Sequence, residues 1–122
     1  MADILIVEDN DAISRTYTQA LEIHGHTVRV AVDEQNLREE MVVALPDLLL
    51  LDIGLPGMDG IEILRQLREE PETCELRVAV LSNYTDRKII HRVLRMDALD
   101  YVEKASITPS LLAGQVDRWL EK

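Results

Sequence analysis

Five side chains in this sequence are of a type and at a place that could do chemistry together. Glu8 and Asp9 follow DILIV, Asp52 follows four consecutive leucines, Ser82 follows RVAVL, and Lys104 ends LDYVEK. Each therefore sits directly behind a short apolar run. Two carboxylates about 4 Å apart repel by about 4 kcal/mol at an effective dielectric of about 20. Three brought together need a cation, a proton or a large displacement. An oxygen-only cluster with no His or Cys beside it suits a hard ion, Mg²⁺ more than Zn²⁺. Mg²⁺ typically takes one or two carboxylates, keeps several waters and completes its shell with phosphate oxygens. Carboxylates, a hard cation, a hydroxyl and a mobile ammonium in one cleft describe a phosphoryl-transfer site. Asp52 is its candidate nucleophile, through a carboxylate oxygen that would form an aspartyl phosphate. The Gly54, Pro56 and Gly57 turn behind it would let backbone groups approach a small anion.

What must hold these groups together is legible in the runs that precede them. DILIV (residues 3–7), TVRVAV (27–32), DLLLL (47–51), RVAVL (77–81) and LDYVEK (99–104) are all of strand length. Between them apolar residues recur at helical spacing: Ile13, Tyr17, Ala20, Leu21 and His24; Leu37, Met41 and Ala44; Ile61, Leu64 and Leu67; Ile89, Ile90, Val93 and Leu94; Leu112, Val116, Trp119 and Leu120. Strands alternating with helices predict an α/β fold with a parallel sheet. The first, third and fourth runs are apolar throughout, as strands covered on both faces should be. The second and fifth alternate apolar with polar and read as edges. The order 2-1-3-4-5 follows, a doubly wound five-stranded sheet with five helices on its two faces. In that order the winding reverses between strands one and three, and ligands sit there, beyond the carboxyl ends of the strands. Glu8, Asp9 and Asp52 all fall at that place.

Bulk properties bound the alternatives. The chain has 122 residues, enough for one domain, with 47% hydrophobic and 30% charged residues. It has no Phe and a single Trp, Trp119, so its core must be aliphatic. A net charge of −10 argues against direct nucleic-acid binding, which needs clustered cations. Cys74 is the only cysteine, which excludes an internal disulfide and fits a reducing cytosol. No apolar run approaches the ~20 residues that span a bilayer, so no membrane partner is expected. The start MADILIVED has neither the basic nor the long apolar region of a signal peptide.

The segments VEDN (7–10), LLLLDIGLPGMDGIE (48–62), VLSN (80–83) and DYVEK (100–104) together resemble the response-regulator receiver domain of two-component signalling. The resemblance spans the chain. It implies one flavodoxin-like receiver domain over residues 1–122, cytoplasmic, acting as a switch and not as a free-standing enzyme. Asp52 would accept a phosphoryl group from a histidine kinase or histidine phosphotransfer protein. Asp9 and Asp52 would ligate Mg²⁺ with the backbone carbonyl of Gly54, Glu8 helping through water. Lys104 would pair with the phosphate and, at rest, with Asp52. Ser82 would bond a phosphoryl oxygen, and Tyr101 would turn between exposed and buried positions. The surface of helix four, strand five and helix five would change and control a downstream effector protein or domain. Three positions depart from the family pattern: Ala105 stands where proline usually follows the lysine, Asn83 where Ala or Gly follows the switch hydroxyl, and Asp97 where Gly precedes Ala98. Asp tolerates a left-handed backbone better than most residues.

Competing readings are a Mg²⁺-dependent phosphatase, a flavin-binding relative and a receiver-like interaction module working without phosphorylation. The first would need a lid for which 122 residues leave no room. In the second, Glu8 and Asp9 would repel the flavin phosphate. The intact set Glu8, Asp9, Asp52, Ser82 and Lys104 argues against the third. The chain ends at RWLEK, consistent with either a stand-alone regulator or a piece of a longer protein; oligomeric state is open. Outside the site, Arg87, Lys88, His91, Arg92 and Arg95 form a positive stripe in an otherwise acidic chain: a solvated helix face or a docking surface for an acidic partner. His24 and His26 flank Gly25, a helix stop and not a metal pair. EEPETCE, residues 69–75, reads as a solvated acidic loop holding Cys74.

Overall fold

The four leucines at 48–51 are fully buried because they belong to a strand with both faces covered. In the computed structural model, which describes residues 1–55, 57–84 and 86–121, Leu48 and Leu50 point into one apolar cluster and Leu49 and Leu51 into another. Five strands, β1 (Asp3–Val7), β2 (Thr27–Ala31), β3 (Leu48–Asp52), β4 (Val78–Ser82) and β5 (Asp100–Glu103), pair in parallel in the order β2-β1-β3-β4-β5. The helices are α1 (Asp11–Ile23), α2 (Glu34–Val43), α3 (Gly60–Glu69), α4 (Arg87–Arg95) and α5 (Pro109–Leu120), with a short 3₁₀ turn at Lys104–Ser106. α1 and α5 pack over Ile4, Ile6, Leu48, Leu50, Ala79 and Leu81. On the other face α2, α3 and α4 cover Leu5, Val7, Leu49, Leu51, Val78 and Val80. The expected strand order and the assignment of edges are both met.

Each helix begins at a residue whose side chain accepts a hydrogen bond from the backbone of its own first turn. Asn10 caps at Ile13 N, Asp33 at Asn36 N, Asp59 at Glu62 N, Asp86 at Lys88 N and Thr108 at Leu111 N. A cap of this kind is worth about 1 kcal/mol. Gly60 opens α3 because no side chain fits: a Cβ there would lie 2.5 Å from Ile53 Cα. Gly57, in the turn behind β3, has φ +72°, which only glycine adopts freely; Pro56 of that turn lies outside the described residues. Asp97 has φ +61°, the left-handed conformation its residue type permits.

Several sequence expectations are adjusted. β5 is partly buried at all four of its residues and not alternately exposed, since helices reach over both faces of an edge that lacks only its outer neighbour. Ala44 and His24 cap α2 and α1 instead of extending their apolar faces. On α4 only Val93 is fully buried, while Leu94 is 45% exposed. The acidic loop is anchored: Thr73 is buried, with Oγ1 donating to Leu67 O at 2.6 Å. Cys74 is exposed there, its thiol 3.5 Å from Pro71 O.

Candidate functional site

Strand register brings the acidic residues together. Val7 pairs with Leu51, so the next residues of the two strands, Glu8 and Asp52, are neighbours at the carboxyl edge. Asp52 pairs with Leu81, and Ser82 follows it. Ser82 pairs with Glu103, and Lys104 comes next. Glu8, Asp52 and Ser82 are buried, whereas Asp9 is exposed at the rim. All five line one cleft of about 240 Å³, together with Asn10, Ile13, Gly54, Leu55, Asn83 and Tyr84.

At its floor Lys104 Nζ donates to Asp52 Oδ2 at 2.5 Å and to Glu8 Oε1 at 2.6 Å. Burial by itself would lower the lysine pKa. The two hydrogen bonds and the two carboxylate charges outweigh it and raise that pKa above its ordinary value. The remaining carboxylate oxygens are held by backbone: Gly54 N–H donates to Asp52 Oδ1 at 2.8 Å, and Asn10 N–H to Glu8 Oε2 at 3.2 Å. A Cβ on Gly54 would come 3.6 Å from Asp52 Oδ1 and 3.9 Å from Ser82 Oγ, so any side chain there would stand in the cleft. Gly54 thus keeps open the space that Asp52 and Ser82 face.

Oxygen donors for a hard cation are present in Glu8, Asp9, Asp52 and the Gly54 carbonyl. Among the described residues no three acidic, His or Cys side chains converge as a ready metal cage, and the ammonium of Lys104 lies between Glu8 and Asp52. Mg²⁺ does not require such a cage. One or two carboxylates, a carbonyl and water suffice, and this donor set contains only oxygen.

Three residues of the cleft, Tyr84, Asn10 and Leu55, were not singled out individually by the sequence, and two of them join its hydrogen bonding. Tyr84 lines it, with its ring 3.7 Å from where a Gly54 Cβ would lie, and its N–H donates to Ser82 Oγ at 3.0 Å. Asn10 joins it through its backbone. Neither position has a side-chain type that announces such a place; only the path of the loops decides it. Tyr101 lies outside the cleft lining but is tied to it, its hydroxyl donating to Tyr84 O at 2.7 Å. Burial raises the pKa of that phenol. No peptide bond among the described residues is cis, Lys104–Ala105 included.

Residues 4–115 match the family model of the response regulator receiver domain. The phosphate regulon transcriptional regulatory protein PhoB of Rhizobium meliloti is 38% identical over 110 residues, covering 90% of this chain and 48% of that protein. The KDP operon transcriptional regulatory protein KdpE of Escherichia coli is 39% identical over 104 residues, covering 85% of this chain and 45% of that protein. The chain thus spans about half the length of these curated relatives. A CheY-like receiver domain protein from Methanospirillum hungatei superposes with a TM-score of 0.88 at 26% identity, covering 99% of this chain and 94% of that one. Dispersed carboxylates, hydroxyl and lysine gathered at the winding reversal of a 2-1-3-4-5 sheet agree with these likenesses, and the chain belongs to the response-regulator receiver domains of two-component systems.

Proposed function

We propose that Asp52 is the phosphoacceptor of a Mg²⁺-dependent switch, supplied by a histidine kinase or histidine phosphotransfer protein. The observation that carries this reading is the bridge from Lys104 Nζ to the buried carboxylates of Asp52 and Glu8 at the floor of an open cleft. An ammonium so placed neutralises the nucleophile at rest and can follow the charge onto a phosphoryl group. The Gly54 N–H fixes Asp52 so that one carboxylate oxygen attacks phosphorus while the phosphorus–nitrogen bond of the donor breaks. The Ser82 hydroxyl, at the end of the next strand, is within reach to bond a phosphoryl oxygen. Asp9, Asp52 and the Gly54 carbonyl would hold Mg²⁺, with Glu8 acting through water; the ion supplies charge neutralisation for the transferred group.

The readout follows from Tyr84. Its backbone connects Ser82 Oγ on one side to the Tyr101 hydroxyl on the other. A shift of Ser82 towards a phosphoryl group would therefore pull on the loop that Tyr101 bonds, and change the surface of α4, β5 and α5. Phosphate adds roughly −1.5 to −2 charges, and biases the ensemble only through contacts that differ between the two states. That surface controls an effector protein or domain, in a cytoplasmic setting, and the same site autodephosphorylates. The relevant unit is the whole of residues 1–122.

Incubation with acetyl phosphate and Mg²⁺ should add one base-labile phosphoryl group by intact mass. Asp52→Asn should add none. Uptake that survives the substitution moves the acceptor elsewhere, and no uptake by the unmodified protein leaves an interaction module that works without phosphate.

A further inference from the structure

The cations of α4 are set apart from the other described cations. Every other described arginine or lysine has a polar partner: Arg15, Arg29, Arg38 and Arg65 pair with carboxylates, Lys104 with two, Arg118 with Gln115, Arg68 with backbone carbonyls, and Arg77 is also engaged. Arg87, Lys88, Arg92 and Arg95 are exposed and have no ion pair or side-chain hydrogen bond among the described residues. They do so in a chain with 23 carboxylate side chains and a net charge of −10. With His91 they line a shallow groove of about 370 Å³ that no other described residue borders.

This arrangement costs the free protein stability. Arg87 and Lys88 occupy the first turn of α4, where the helix dipole disfavours cations. α1, α2 and α3 all carry an acid in the first turn; α4 and α5 carry none, and α4 has only its N-cap Asp86 there. Lys88 and Arg92 are like charges one helical turn apart, a spacing that destabilises a helix. Only Arg92 and Arg95, in the last turn, are where the dipole favours them. Leu94, 45% exposed, adds an apolar contact beside them. A helix face that is unpaired and unfavourable in isolation gains its stabilisation from what binds it.

We infer that the unpaired cations of α4 form the docking surface for an acidic polypeptide segment. The inference rests on the reading of α4 as part of the switch's output surface, and names the chemistry of the partner. A polypeptide fits better than nucleic acid. The stripe runs only about 12 Å along the axis from Arg87 to Arg95. Removing its four charges from the net −10 leaves −14 on the rest of the chain, which would repel a polyanion longer than the stripe.

The test uses a labelled amphipathic peptide with Glu at i, i+4 and i+8 beside a leucine row, its Gln-substituted twin and a short DNA duplex. They are titrated by fluorescence anisotropy into the protein with and without acetyl phosphate and Mg²⁺. The Glu peptide should bind better than both controls, shift amide resonances of residues 87–95, and lose affinity at least about tenfold against Arg92→Glu/Arg95→Glu. A Lys-bearing version of the peptide should recover binding to that variant. All four side chains are exposed, and Arg92→Gln/Arg95→Gln, which adds no repulsion, should fall between. Equal binding of the twin, tighter binding of DNA, indifference to charge reversal, or a dimer by sedimentation that the reversal abolishes would each overturn the inference. Phosphoryl uptake measured on the same samples separates the two readings. Uptake without reversal-sensitive peptide binding sinks the docking surface alone, and peptide binding without uptake sinks the acceptor assignment alone.

Discussion

At Lys104 one ammonium faces two carboxylates whose side chains are only 3–4% exposed. Its pKa is raised, so its contribution to stability is complete below its ordinary value of 10.5 and is lost only as pH rises through the higher folded value. Between pH 5 and 9 that contribution is therefore constant. Lys104→Met would leave Glu8 and Asp52 buried without a counter-ion, and should cost about 3–5 kcal/mol in urea unfolding at neutral pH. In combination with Asp52→Asn the loss should be smaller than the sum of the single losses, because both act on one cluster. The acidic residues, Ser82 and Lys104 were legible from sequence, since each terminates an apolar run of strand length. Tyr84 was not: it lies in a loop, and its place beside Gly54 depends on where β3 and β4 end relative to one another.

Between elements, the histidines at the α1–β2 turn acquire a partner that spacing could not show. His24 Nδ1 lies 2.6 Å from Asp117 Oδ2, and His26 Nε2 lies 2.7 Å from Asp117 Oδ1, so α5 is fastened to that turn by one carboxylate. The Ala2 N–H donates to His26 Nδ1, which leaves Nε2 as the donor to Asp117. Hydrogen bonds from His24, then His26, hold the Asp117 pKa below its ordinary 3.8. A depressed acid pKa contributes stability that is present above pH 3.8 and lost as pH falls through the folded value. Asp117→Asn should therefore lower stability near neutrality, by about 0.5–1 kcal/mol for a pair this exposed. The difference from the unsubstituted protein should shrink in thermal unfolding as pH falls below 3.8 and through the lower folded value. Arg68 joins α3 to the end of α4 in a similar way, donating to Met96 O at 2.8 Å and Asp97 O at 3.1 Å. The sequence marked the helices, because their apolar periodicity is local, whereas their caps were shown by the structure. It overextended the apolar face of α4, where periodicity carries no information about how close the helix lies to the sheet.

For the molecule as a whole, the two apolar clusters are separated by one sheet whose strands alternate between them. Leu64→Ala in the α2–α3–α4 cluster should cost about 2–5 kcal/mol. Trp119, fully buried in the α1–α5 cluster across the sheet, should report that loss as a shift of one cooperative unfolding transition in its fluorescence. A Trp119 signal that stayed unmoved would mean that the two faces unfold independently. By itself the sequence determined the α/β class, the order 2-1-3-4-5 and the strand ends that carry the site. Those depend on apolar patterning, and patterning records which faces of an element meet water. Only the tertiary structure decided that Lys104 bridges Glu8 as well as Asp52, that Tyr84 lines the cleft, and that Asp117 holds both histidines. These contacts join residues up to 96 positions apart, and loop paths and rotamers fix them at distances that no spacing along the chain encodes.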